Sequence, residues 1–457
     1  MKKLLVLFLI ITIIACKEES TVDYTIVAGK ITNKVEGDVL IESYDRTFEK
    51  TLNISEDGTF IDTLTVNGNS YVLYDGKNPV FMHLEPGYNL NVSYDATDFD
   101  NTLSITGKGS EINNYMFSKR KNDRELFGNS KETYSLDEQE YKEKISKIKD
   151  TQLALLESFE GIPEDYLEKE KRNLNYSYLY KLNVYKAAHR YFTKQMDFEP
   201  SEDFLNDLEG IDYSNSADFE FSNDYKNLVT SHYRNLASTL ATEDSIDNDI
   251  AFIKTASTIE EDAIKNGLLF DFANRGITYT KDLDEFYKSF MASSTHQENN
   301  DIITEKYNSL QALNAGKPSP QFVNYENYKG GNTSLTDLKG KYVYIYVWAT
   351  WCAPCLGEIP SLKKVEKQFH DNNIEFVSIS IDKLPDHGKW KTMIEEKELG
   401  GIQLFADNDW KSEFVTDYQI EGIPRFILID PDGNIVDANA PRPSNSKLTE
   451  LFNELSI

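Results

Sequence analysis

Seven consecutive residues from Tyr342 to Trp348 are β-branched or aromatic, and the turn after them leads into Cys352-Ala353-Pro354-Cys355. An apolar run of this kind reads as a central strand buried on both faces. Beyond the cysteines, Leu356, Ile359, Leu362, Val365 and Phe369 recur at helical spacing, so the strand hands over to an amphipathic helix whose start carries both thiols. Two thiols within one helical turn can close a disulfide readily. The first lies nearest the unsatisfied backbone N–H groups and the positive end of the helix dipole, which favour thiolate over thiol, so Cys352 is the expected nucleophile. Pro354 fits the first turn because the amide hydrogen it lacks would have no partner there. Two other readings of the pair stay open. A structural zinc site normally needs four ligands, and neither a second cysteine pair nor the six scattered histidines supply the rest. An inert buried pair is the blander possibility, against which the strand-to-helix setting weighs.

The chain has 457 residues and one further cysteine, Cys16, an odd and sparse count that excludes a disulfide-stapled scaffold. Met1-Lys2-Lys3, an apolar stretch over 4–14 and Ala15-Cys16 follow the order of a secretory signal. The stretch is short for a membrane span of about 20 residues. Ile13-Ile14-Ala15-Cys16 resembles a bacterial lipobox, which implies that Cys16 is acylated and becomes the first residue of the mature protein. Acyl chains contribute about 0.8 kcal/mol per buried methylene, enough in combination to hold a body on a bilayer. Position 17 is Lys, so the aspartate of inner-membrane retention is absent, and Lys17-Glu18-Glu19 resembles a surface-export signal of Gram-negative lipoproteins. The plain alternative is a solvated tether. The expected location is the bacterial cell envelope, lipid-anchored at the outer membrane on its periplasmic or surface face. Lys and Arg number 48 against 76 Asp and Glu, a net charge of −28 that repels phosphate backbones and argues against a nucleic-acid partner.

The expected architecture is multidomain: an N-terminal antiparallel β-sandwich, a helical middle domain and a C-terminal α/β domain. After a signal over 1–15 and a tether over 16–23, short β segments at 25–31, 39–44, 51–54, 63–66, 71–74, 90–94 and 103–105 fill a β-rich domain over 24–107. Asp57-Gly58, Asn67-Gly68, Asp75-Gly76 and Pro86-Gly87 supply its turns. Asp57-Gly58-Thr59-Phe60 and Leu84-Glu85-Pro86-Gly87-Tyr88 resemble the β-rich domain of unknown function that precedes thioredoxin-like domains in envelope lipoproteins. His83 stands alone there and reads as structural. From about Ser110 the period becomes helical, defining a middle domain over 108–313. Ser135-Leu136-Asp137-Glu138 has the pattern of a capping box ahead of Tyr141, Ile145, Ile148, Leu155 and Phe159. Tyr178, Leu182, Tyr185, His189 and Phe192 form a second stripe, read as the buried face of a bundle. Further helical segments are expected over 222–240, 247–266 and 283–291. Gly316, Pro318 and Pro320 punctuate the boundary to a domain over 316–457, with strands at 376–381 and 426–429, a hairpin turn at Pro431-Asp432-Gly433-Asn434 and a closing helix bearing Leu448, Leu451, Phe452 and Leu455.

Trp348-Ala349-Thr350-Trp351-Cys352-Ala353-Pro354-Cys355, followed by Glu358 and Pro360, resembles the active-site segment of the TlpA- and ResA-like branch of the thioredoxin superfamily. Gly422-Ile423-Pro424, leading into Arg425, resembles that family's cis-proline loop. The resemblance covers about 316–457 and implies a thioredoxin fold in which Pro424 is cis and faces the cysteine pair. It also implies that the backbone at Ile423 pairs with a bound substrate strand, and that Glu358 tunes proton transfer; a solvated helix glutamate is the alternative for that residue. Pro360 is expected to kink its helix. One departure stands out. Thioredoxins carry a buried Asp six residues before the first cysteine, and here that position is Tyr346, which cannot take a proton from Cys355 at neutral pH. Glu358 or water must do that work.

The resemblance therefore implies a thiol–disulfide oxidoreductase without a cofactor. Cys352 attacks a substrate disulfide and Cys355 resolves the mixed disulfide, with specificity from the groove beside Trp351, Ile423 and Pro424. Its partners would be a disulfide-containing envelope protein, a thiol reductant and, through the lipid anchor, a membrane. The Ala-Pro dipeptide lacks the histidine of oxidising relatives, which favours the reductase direction. Reductases of this branch draw electrons at the inner membrane, which sits uneasily with surface export. Two alternatives remain: a partner-binding or assembly lipoprotein with subsidiary redox activity, and a thiol peroxidase.

Overall fold

The computed structural model describes residues 22–34, 37–44, 48–66 and 70–457. Cys16, the signal, the tether as far as residue 21 and the Asn67-Gly68 turn lie outside the described residues. The chain divides into two compact units, one ending at Val229 and the other running Thr230–Ile457. Among the described residues no helix is long and apolar enough to cross a membrane.

The first unit opens with β1 (Tyr24–Thr32), β2 (Val39–Ser43), β3 (Glu49–Leu52), β4 (Thr59–Thr65), β5 (Ser70–Tyr74), β6 (Pro79–His83), β7 (Asn89–Asp95) and, after the short α1 (Phe99–Thr102), β8 (Ser104–Lys108). They form two four-stranded sheets, ordered β4-β1-β7-β8 and β3-β2-β5-β6. Alternate residues point inward, so Val27, Leu90 and Val92 of one sheet share a core with Ile41, Leu73 and Met82 of the other, as a sandwich requires. All pairings are antiparallel except β1 with β7, which run parallel. That pair is compatible with the chain path because the second sheet intervenes between them, giving the long connection that parallel strands need. The sequence pattern omits β6, an edge strand that begins at a proline. Its last residue, His83, is buried and held at both backbone groups by the Asn113 side chain, at 2.9 and 3.0 Å.

The helices α2 (Ser110–Phe127), α3 (Ser130–Tyr134), α4 (Glu138–Ser158), α5 (Glu164–Thr193) and α6 (Ser216–Phe221) follow, and α7 (Asn223–Asp244) carries the chain into the second unit. The two apolar stripes meet: Tyr141, Ile145 and Ile148 of α4 pack with Tyr178, Leu182 and Tyr185 of α5, and the Tyr141 and Tyr185 rings stack at 4.3 Å. His189 is buried with Nδ1 2.8 Å from the Tyr134 carbonyl oxygen. The expected capping box is shifted. Asp137, not Ser135, caps α4 by accepting from the Glu140 amide at 2.9 Å, because Ser135 ends α3 and its hydroxyl already donates to the Lys131 carbonyl.

In the second unit the helical segment expected over 247–266 is two helices, α8 (Asn248–Ala256) and α9 (Asp262–Gly276). Tight bonds from Thr258 N to Thr255 O and Ile259 N to Ala256 O turn the chain between them. A single helical turn at Ile277–Tyr279, α10 (Leu283–Ser293) and α11 (Gln297–Gln311) complete this region. The last third holds β9 (Tyr325–Asn327), β10 (Asn332–Thr333), β11 (Tyr342–Trp348), α12 (Ala353–Phe369), β12 (Ile374–Ser380), α13 (His387–Lys397), β13 (Ile402–Phe405), α14 (Glu413–Asp417), β14 (Arg425–Ile429), β15 (Ile435–Asp437) and α15 (Ser446–Glu454). Their sheet runs β10-β9-β13-β12-β11-β14-β15. β11, β12 and β13 are parallel, and β14 pairs antiparallel with β11, setting Tyr346 opposite Phe426. This central place explains the unbroken apolar run in β11, whose residues after Tyr342 are all buried. The Gly/Pro-rich segment ahead of it is stitched to the β15 hairpin by Gly316 N to Ile435 O (2.7 Å) and Ser319 N to Gly433 O (3.0 Å).

Candidate active site

The turn between β11 and α12 is pinned from beneath. The Thr350 amide and hydroxyl donate to the buried Asp382 carboxylate at 2.9 and 2.8 Å, and the Ser380 hydroxyl donates to it at 2.7 Å. Asp382 lies just past β12, so the parallel pairing of β11 with β12 is what brings it under the turn. A buried carboxylate satisfied by several donors fixes geometry strongly, since losing any partner leaves a desolvated polar group. Asp382 was not foreseen from sequence.

Cys352 caps α12 and is disulfide-bonded to Cys355, with Cα atoms 5.2 Å apart. The Cys355 amide points at Cys352 Sγ from 3.2 Å. One of the orphan donors of the helix start is thus aimed at the sulfur that would carry negative charge after reduction. Both cysteines are buried, Cys355 wholly and Cys352 with 4% of the residue exposed. Trp351 beside it is 52% exposed, with its ring 6.4 Å from that of Trp410. Cys352 Sγ also lies 3.8 Å from the Ile423 carbonyl oxygen, and the Ile423-Pro424 peptide is cis. The fold therefore brings Trp351, Cys352, Cys355, Ile423 and Pro424 together from two loops.

Glu358 is not a solvated glutamate. It is buried on α12, and its carboxylate accepts from the Ser444 amide and hydroxyl at 3.1 and 2.9 Å, with Arg442 Nη1 at 3.9 Å. Among the described residues no hydrogen bond joins it to either cysteine. Tyr346 is buried and its hydroxyl has no hydrogen-bond partner; burial, with the Glu358 charge nearby, pushes its pKa far above the ordinary value, so it stays neutral. Ser444 and Arg442 lie in the loop before α15 and had no signal in the sequence. Among the described residues no group of His, Cys, Asp and Glu is placed to hold a metal ion. What the arrangement can do is exchange a disulfide: one sulfur at a helix start facing the cis-proline loop, its buried partner one turn along, and a backbone carbonyl beside the first.

Residues 315–438 match the AhpC/TSA family. Among curated relatives, the chain is 27% identical over 145 residues to the thiol-disulfide oxidoreductase ResA of Bacillus subtilis (strain 168), covering 31% of this chain and 76% of that protein. It is 28% identical over 130 residues to ResA of Bacillus thuringiensis (strain Al Hakam), covering 28% and 70%. Among solved structures, a Bacteroides vulgatus protein proposed as a thiol-disulfide oxidoreductase is 49% identical, covering 32% of this chain and 93% of that one, with a TM-score of 0.28. The thioredoxin domain of a Bacteroides vulgatus thiol-disulfide oxidoreductase is 31% identical, covering 31% and 98%, with a TM-score of 0.29.

Proposed function

Because this chain belongs, through its C-terminal part, to the thioredoxin-like thiol–disulfide oxidoreductases, we propose that it works as a reductase of protein disulfides, held in the bacterial cell envelope by a lipid on Cys16. The observation that carries the catalytic assignment is the pairing of Cys352 Sγ with the Cys355 amide at 3.2 Å and with the Ile423 carbonyl oxygen at 3.8 Å. In the reduced enzyme the Cys352 thiolate attacks one sulfur of a substrate disulfide. That bond breaks, the first substrate sulfur leaves as thiolate, and a Cys352–substrate disulfide forms. Cys355, deprotonated, then attacks Cys352 Sγ; the second substrate thiolate leaves and the Cys352–Cys355 bond remains. Two electrons pass to the substrate, each released thiolate takes up a proton, and a dithiol donor must restore the enzyme.

Several features support the finer reading. The Ala-Pro dipeptide offers the Cys352 sulfur no extra side-chain donor, so nothing there stabilises the reduced form unusually. The nearness of Trp351 and of the cis Ile423-Pro424 peptide to Cys352 supports a groove there for an extended substrate strand. Glu358, fixed by Ser444, is the acid–base group nearest in sequence to the resolving cysteine, and Tyr346 is not an alternative to it. The Met1–Cys16 order of charge, apolar run and small residue supports the lipid anchor.

Equilibration of the full chain against a dithiol buffer tests the direction. The expected reduction potential lies close to that of thioredoxin, about −270 mV; a value near the strong oxidants, about −120 mV, would reverse the assignment.

A further inference from the structure

The cis-proline loop is also held by residues more than a hundred positions earlier in the chain. Lys306 on α11 bonds Glu421 Oε1 at 2.6 Å while also donating to the Asn274 carbonyl at 2.9 Å. Gly422 lies close under Tyr279: a Cβ there would stand 3.0 Å from the Tyr279 hydroxyl oxygen, close enough that the tyrosine would have to give way slightly. Arg425, directly after Pro424, is 2% exposed, and among the described residues no carboxylate is hydrogen-bonded to it, the nearest acidic influence being the charge of Asp437. Its guanidinium donates to the Ala438 and Thr278 carbonyls at 2.9 and 3.4 Å and lies 5.3 Å from the Tyr279 ring centre. Burying a guanidinium without an anion is unfavourable unless its hydrogens are used, and an aromatic face is one of the few other environments that stabilises it. Three successive contacts thus converge on one aromatic residue and its neighbours.

Tyr279 nonetheless remains 44% exposed. Its hydroxyl is against Gly422, one residue from the Ile423 carbonyl that faces Cys352. The ring is held through Arg425, by the guanidinium beside its face and a side-chain hydrogen bond, while close to half of the residue stays exposed. We infer that Tyr279, from the helical region, is a specificity-determining residue that walls the substrate groove and contacts the extended peptide flanking the substrate's cysteine. Lys306 and Arg425 are positioning residues that hold the loop and the ring in register. The inference rests on the disulfide-exchange reading and adds to it that the helical region takes part in substrate choice.

The test is steady-state kinetics of the full chain, with dithiothreitol as reductant and insulin as disulfide substrate. Tyr279→Ala is expected to raise KM for insulin about five- to tenfold with kcat within twofold, and Tyr279→Phe to restore KM. Insulin kinetics in Tyr279→Ala identical to wild type would overturn the inference, as would a fall in kcat at constant KM, which would mark Tyr279 as merely supporting the loop. Should Tyr279→Ala not fold, Tyr279→Leu carries the same expectation and the same contrary outcomes. A wild-type chain that does not accelerate insulin reduction would instead remove the oxidoreductase reading on which the inference stands.

Discussion

Single residues divide the chemistry between charge and position. Glu358 shows how. Its two oxygens accept from the amide and hydroxyl of Ser444, which fixes the carboxylate inside the protein on the helix that carries Cys355. Glutamine can keep this geometry, since its carbonyl accepts from the Ser444 amide while its NH₂ donates to the rotatable hydroxyl. Glu358→Gln is therefore expected to leave unfolding free energy within about 1 kcal/mol of wild type. If the carboxylate handles the proton released from Cys355, resolution of the mixed disulfide should slow by at least about tenfold, since general acid–base catalysis contributes of order 10² or more. Stopped-flow measurement across pH checks both rate and profile; an unaltered profile at an unaltered rate would leave Glu358 a purely structural role. Residue identity made the cysteines, Trp351 and Pro424 legible in the sequence. Asp382 was not, because its partner Thr350 is 32 positions away and the contact exists only once β11 and β12 pair.

Among the elements, β11 and α12 were the most legible, since a strand buried on both faces and a helix with one wet face leave unlike patterns. α13 and β13 left weaker ones: α13 buries only Trp390 and Ile394, and β13 has four residues. The exact start of α4 depended on Ser135 being already engaged by α3, a tertiary fact that a local capping pattern cannot carry. α12 also contains a group whose protonation should affect stability. Glu366 packs against Gly400 and Gly401, and burial pushes its pKa up to about 7, with Lys363 pulling slightly the other way. The folded state thus holds its proton more tightly than the unfolded chain, whose glutamates titrate near 4.3. Its contribution is intact below about pH 4.3 and falls away as pH rises toward the folded value of about 7. Glu366→Gln should consequently match wild type at pH 4 and exceed it by of order 3 kcal/mol at pH 8. Urea denaturation at the two pH values measures the difference, and equal stabilities at pH 8 would contradict it.

At the scale of the whole molecule, the division of labour among the cysteines is the organising fact. Cys352 and Cys355 form the redox pair, and Cys16 belongs to the proposed anchor, which leaves no other thiol to compete with the active pair. The β-rich and helical regions were legible as classes from their periods of two and of about 3.6. The parallel β1–β7 pair was not, because pairing direction between strands distant in sequence leaves no local trace. Nor was the grip of Thr278 on Arg425, across 147 positions. The surplus of acidic residues, 76 against 48 basic ones, is consistent with a body held at a membrane by lipid and not by charge. The central claim is that Cys352 is the attacking sulfur and Cys355 the resolving one. Incubating the Cys355→Ser chain, reduced, with a disulfide-bonded peptide and reading the product by peptide-mapping mass spectrometry tests this directly. A stable mixed disulfide on Cys352, absent from Cys352→Ser, is the predicted result; no adduct in Cys355→Ser, or a comparable adduct on Cys355 in Cys352→Ser, would contradict it.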